Sequence, residues 1–189
     1  MNEPSPDICK YSAWHWLNQD TGEIHPFNCG SWNCPTCQSK IAYHYACIVA
    51  AALPQRMITL TNVPRVREIA AMAFKQLVRD IRVKYALEYA RFVEVGHKTG
   101  MLHYHLAQRG DFIPQRWLSS RASANGLGRI VHIEACSGKG PAFYLSKYIT
   151  KEGAPLDWRK VSFSRGFPRD KGDKLPDKNW LLIRGLDEG

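Results

Sequence analysis

Two alternating runs, Tyr89 to Val95 and Leu102 to Gln108, flank the short connection Gly96–His97–Lys98–Thr99–Gly100. No other feature narrows the fold as much, because two such runs joined by a glycine-flanked turn predict an antiparallel hairpin. Upstream, Arg56 to Thr61 (RMITLT) alternates and is β-branched, which predicts another strand. Between them Pro64 opens a helical pattern. Val66, Ile69, Ala73, Phe74, Leu77, Val78 and Ile81 recur at three and four residues, defining one buried face. Residues 41–52 read as an Ala-rich helix that Pro54 ends. A short helix is expected from Pro114 to about Ala124, stopped by Asn125–Gly126, then a strand from Arg129 to Ala135 and a helix from Pro141 to Lys151. The order strand, helix, strand, strand, helix, strand, helix predicts an α+β fold with an antiparallel sheet flanked by helices. Four strands are clear in it.

The first 40 residues behave differently. They are rich in Cys, Trp, His, Pro and Gly without a long periodic pattern, so something other than an apolar core must hold them. Cys29, Cys34 and Cys37 form C-x4-C-x2-C with Gly30 and Pro35 between them, a knuckle suited to a tetrahedral, structural Zn²⁺. Cys9 is the natural fourth ligand, with His15 and His25 as alternatives. A redox role for Cys34–Pro–Thr–Cys37 competes, but Cys29 close upstream and the lack of a βαβ setting argue against it. Cys47 and Cys136 read as buried or incidental thiols.

Two further patterns carry chemistry. His103 and His105 alternate around Tyr104, so both imidazoles point to one face of their strand. Glu94, on the preceding strand of the hairpin, can come alongside with a hard carboxylate. Two His and one carboxylate suit Mn²⁺ or Mg²⁺ better than a closed zinc site. Surface histidines on a half-exposed strand would give the same triplet. Tyr144 and Tyr148 lie one helical turn apart on the 141–151 helix, and Lys147 and Lys151 follow each by three residues. Tyrosines so spaced are commonly core residues; as nucleophiles they would need a cation to stabilise the phenolate.

Taken in order, RMITLT, the segment Glu94 to Ala107 (EVGHKTGMLHYHLA) and Tyr144 to Lys151 (YLSKYITK) resemble the three-motif pattern of HUH endonucleases. The likeness is to two-tyrosine rolling-circle replication initiators of the phage and plasmid type, over roughly residues 55–152. It implies an RRM-like, five-stranded antiparallel sheet. It also implies His103, His105 and Glu94 as cation ligands, Tyr144 and Tyr148 as nucleophiles, and Lys147 and Lys151 as helpers at the phosphate. The activity implied is metal-dependent nicking and rejoining of single-stranded DNA at an origin hairpin. A 5′-phosphotyrosine would form and leave a free 3′-hydroxyl. With no Walker-type phosphate loop in the chain, a host helicase and polymerase would act in trans.

Charge agrees with a nucleic-acid partner: 26 Lys and Arg against 17 Asp and Glu give +9. Residues 154–189 form a basic extension expected to drape over the core. Arg159, Lys160, Arg165 and Arg169 are interleaved there with Trp158, Phe163 and Phe167, a pattern that can hold single strands or simply anchor a tail. The organisation expected is thus a Cys-rich zinc segment (1–40), an endonuclease core (41–153) and this extension. No run of about 18 apolar residues predicts a membrane span. Met1–Asn2–Glu3–Pro4 lacks a secretory pattern. The expected place is the cytoplasm of a bacterial host. Two rivals remain: a non-catalytic zinc-containing module that binds single-stranded nucleic acid, and the same chemistry in a transposase or relaxase.

Overall fold

The computed structural model describes residues 9–96, 100–136, 158–169 and 179–185. The chain divides into two compact units, one made of residues 1–45 with 170–189, the other of residues 46–169.

The larger unit holds a five-stranded antiparallel sheet. Its strands are β3 (Arg56–Val63), β4 (Leu87–Val95), β5 (Leu102–Gly110), β6 (Val131–Ala135) and β7 (Val161–Phe163), in the order β6-β3-β5-β4-β7. The hairpin anticipated from sequence is β4–β5, closed by Gly96 N–H to Met101 O (2.8 Å) and Gly100 N–H to Gly96 O (2.7 Å). Gly100 has φ +61°, a conformation glycine adopts without Cβ strain. The fifth strand, invisible in the sequence pattern, comes from the basic extension. At three residues β7 is too short to show an alternation, and it adds to the edge of β4 at Ala90–Phe92.

Alternation on these strands sorts side chains cleanly. Ile58, Leu60, Val93, Tyr104, Leu106 and Val131 face a continuous apolar core with α2 (Arg67–Arg82) and α3 (Gln115–Ala124). α2 buries Ala70, Ala73, Phe74, Leu77, Val78 and Ile81. That stripe differs from the expected one at its start. Val66 precedes the helix as its N-cap, and Ile69 sits beside Ala70 off the buried line; both are about half exposed. Glu68 in the first turn and Arg79 and Arg82 in the last complement the helix dipole. α3 stops where Asn125–Gly126 indicates, with Gly126 at φ +80°. Arg91 extends under α2, its guanidinium 4.7 Å from the Phe74 ring and 4.6 Å from that of Tyr104.

The smaller unit has little apolar core. Its sheet, ordered β2-β1-β8, comprises β1 (Trp14–Asn18), β2 (Ile24–Pro26) and β8 (Trp180–Arg184), with no fully buried residue in any strand. Phe27 packs edge-on against Tyr11 and Trp16, and Arg184 lies over Trp14. The helix α1 (Pro35–Ala51) begins six residues before the sequence pattern suggests, because Cys34 and Pro35 start it where apolar periodicity is absent. Among the described residues no helix is long and apolar enough to cross a membrane.

Two tests follow from the packing of the larger unit. Asp80 of α2 accepts hydrogen bonds from Asn125 (2.9 Å) and Arg121 (2.7 Å) at the end of α3. The Asn125 bond, then that of Arg121, holds its carboxyl below the usual range. A carboxyl depressed in the folded state stabilises above its unfolded value, near ~4, and loses this as pH falls through the folded value. Asp80→Ala should therefore lower Tm at neutral pH, with the gap from wild type closing in acid. Gly128 lies against a bulge in β3 between Thr61 and Val63, where Asn62 has φ +61°. A Cβ there would overlap the Thr61 carbonyl oxygen and lie 2.8 Å from Asn62 Cβ. Gly128→Ala should cost about 1–3 kcal/mol in denaturant titration, the scale of overpacking.

Candidate metal centres

The second face of the five-stranded sheet changes character along its length. Met57, Ala90, Phe92, Ala107 and Val161 are buried apolar residues of matching parity. Toward the β4–β5 turn the same face becomes polar: Thr59 and Thr61 on β3, His103 and His105 on β5, and Glu94 on β4. His103 lies directly opposite both Thr61 and Glu94, and His105 opposite Thr59 and Phe92.

His105 and Glu94 are 4% and 6% exposed, and His105 Nε2 lies 2.7 Å from Glu94 Oε2. The other ring nitrogen, Nδ1, lies 3.0 Å from Thr59 Oγ1. His103, half-buried, stacks at 6.1 Å and 21° from the His105 ring. Burying a carboxylate costs several kcal/mol unless it is paired, and an apolar pair of similar volume would often be more stable. Stability alone therefore does not account for these residues, whereas two imidazoles and a carboxylate on one rigid face are a donor set suited to a divalent cation. The residues present fit such an ion by donor chemistry. Their ligand atoms are more widely spread than 4.8 Å, the separation within which the cysteines cluster. Further along the row, His132 on β6 lies opposite Thr59 and pairs with Glu134 at 2.7 Å, both exposed.

The cysteines form the tighter group. Sγ atoms of Cys9, Cys29, Cys34 and Cys37 all lie within 4.8 Å of one another. Cys29 and Cys37 are 3.4 Å apart, Cys37 and Cys9 3.6 Å. A tetrahedral ion with ~2.3 Å bonds to sulfur spaces its ligands at roughly 3.8 Å, so the cluster needs little adjustment to hold a metal. Cys34 and Cys37 are presented by the start of α1, and Gly30, at φ +64°, turns the chain between Cys29 and the helix. Backbone hydrogen bonds at Tyr11 and Cys29 bring Cys9 down to about 6, while burial pushes Cys37 up to about 12. A bound cation would draw all four to thiolates. Cys9 thus takes the place for which His15 and His25 were alternatives. Cys47 is exposed and Cys136 half-buried, both outside the cluster.

The remaining candidates divide. Tyr144, Lys147, Tyr148 and Lys151 lie outside the described residues. Arg159, Arg165 and Arg169 are exposed and Lys160 half-buried. Of their aromatic neighbours Trp158 and Phe167 are buried, so these two rings anchor the extension, while Phe163 is half-buried under Arg169. Thr59 and His132 were not singled out from sequence. The available signal was the parity of RMITLT, which puts Thr59 and Thr61 opposite the buried Ile58 and Leu60.

The family model of the replication-associated protein ORF2 matches residues 55–153, 99 of the chain's 189. The chain belongs to this family. Membership supports a rolling-circle replication initiator. The matched span takes in β3 to β6, hence the whole Thr59–His105–Glu94 row, together with Tyr144 and Tyr148; the cysteine cluster and β7 lie outside it. No curated protein and no solved structure matches the chain.

Purified protein should carry one divalent cation per chain at the cysteines, as read by elemental mass spectrometry. Cys37→Ser, or a strong chelator, should remove it and lower Tm.

Proposed function

We propose that this protein initiates rolling-circle replication by nicking and rejoining single-stranded DNA at an origin hairpin. The observation that carries the proposal is the buried Glu94–His105 pair with His103 on the same sheet face, inside the segment that defines the family. Mn²⁺ or Mg²⁺ held by His103, His105 and Glu94 would supply the positive charge that polarises the scissile phosphate.

The chain's own residues do the rest. The phenolic oxygen of Tyr144 or Tyr148 attacks phosphorus and loses its proton, and the bond to the 3′ oxygen breaks. The products are a 5′-phosphotyrosine and a DNA end whose 3′ oxygen takes up a proton. Because the covalent link keeps the energy of the phosphodiester, the reverse attack rejoins ends without ATP. A tyrosine of ordinary pKa near ~10 needs help to act at neutral pH, and Lys147 and Lys151 supply it by stabilising phenolate and phosphate. Arg159, Lys160, Arg165 and Arg169 track the DNA backbone. Zn²⁺ is the ion proposed for Cys9, Cys29, Cys34 and Cys37, in a structural role. Unwinding and synthesis fall to a host helicase and polymerase, in the cytoplasm of a bacterial cell carrying the phage or plasmid.

A non-catalytic binding module would account for the charge and the cysteines, but has no use for a buried carboxylate against an imidazole. Incubating the protein with Mn²⁺ and single-stranded DNA of its own replicon, followed by a denaturing gel, decides between the two. A covalent adduct should form, vanish with EDTA and with the Tyr144→Phe/Tyr148→Phe double variant, and fall on the order of 100-fold or more with His105→Ala. Bound DNA without any adduct would leave the module. The single tyrosine variants would rank the nucleophiles.

A further inference from the structure

The hydroxyl of Thr59 occupies a position that the proposed chemistry has not yet used. His105 is held through both ring nitrogens, Nε2 at 2.7 Å from Glu94 Oε2 and Nδ1 at 3.0 Å from Thr59 Oγ1. We propose that Thr59 is a positioning residue, which fixes the His105 ring so that Nε2 points at the cation. The inference rests on the reading of His103, His105 and Glu94 as cation ligands.

Three observations support it. The contact joins the only atom of His105 that a cation at Nε2 would leave available for an outer partner, and such partners set ring orientation and ligand basicity. Thr59 is itself immobile, since β3 is paired on both sides and Thr59 lies in register with His105 on β5 and His132 on β6. Its β-branched side chain has few rotamers to choose from. Finally, a hydroxyl both donates and accepts. While Nε2 carries a proton toward Glu94, the Thr59 hydroxyl can donate to bare Nδ1. When Nε2 is bare and faces a cation, Nδ1–H can donate to the same oxygen. A carboxylate or carbonyl at this place would serve the second arrangement and oppose the first. Threonine keeps the ring in place through both.

The test compares Thr59→Val, which keeps the shape and removes the hydroxyl, with Thr59→Ser, which keeps the hydroxyl. His105→Ala serves as reference. Mn²⁺ affinity is read from the electron paramagnetic resonance signal of free Mn²⁺, in protein whose cysteines are already loaded with zinc. Wild type should bind one ion that His105→Ala loses. Thr59→Val should bind it about 10–100-fold more weakly, the usual effect of losing an outer-shell partner, and Thr59→Ser should restore affinity close to wild type. Equal affinity of Thr59→Val and wild type would overturn the role of Thr59 and leave the cation site standing. No His105-dependent ion in wild type would overturn both. Should Thr59→Val fail to fold, the metal-free wild type still decides by proton NMR. A slowly exchanging proton shared by His105 Nδ1 and Thr59, with a cross-peak to the Thr59 methyl, is expected, and its absence would overturn the proposal.

Discussion

The register of β5 between β3 and β4 is the constraint on which the larger unit depends. Because side chains alternate with a period of two, pairing His105 with Thr59 on one side and Phe92 on the other puts every odd-numbered residue of β5 on one face. A slip of one residue would turn His103, His105 and Glu94 into the apolar core and expel Tyr104 and Leu106. The core therefore specifies the site. Leu60, Tyr104, Leu106 and Val93, packed under α2, hold the polar row in position without touching it. The bulge at Asn62, with Gly128 pressed against it, lies beside Thr61 at the end of the strand where that row ends.

Much of this unit was legible from residue order. Long periodic segments announce themselves: α2, β3, β4 and β5 each bury a full face, so burial writes their period into the sequence. The placement of Glu94 beside His103 followed from the turn length alone. What escaped were elements with too little burial to leave a pattern. β1, β2 and β8 contain no fully buried residue, and β7 is three residues long. The role of Thr59 was hidden for another reason. A threonine is ordinary in a strand, and only the three-dimensional pairing of β3 with β5 brings its hydroxyl to His105.

The smaller unit shows how a fold compensates for a missing core. Its strands are half exposed and its rings meet edge-on in pairs, yet Cys9 and Cys37 are almost fully buried within a few ångströms of each other. Four sulfurs drawn from the start of the chain, a loop and the first turn of α1 tie together segments that apolar contact would leave loose. Among small units this substitution of a metal for hydrophobic burial is a common physical solution.

The fifth strand of the main sheet has a consequence for where this protein can be cut. Segment 55–153 carries the family likeness, but β7, at 161–163, covers β4 along Ala90–Phe92, and Val93 N–H reaches the Lys160 carbonyl just before it. A fragment ended at the last matched residue would leave a row of unanswered backbone groups along the strand that carries Glu94. Such an open edge invites pairing with other chains. The unit that similarity detects and the unit that stays monodisperse in a tube are not the same length.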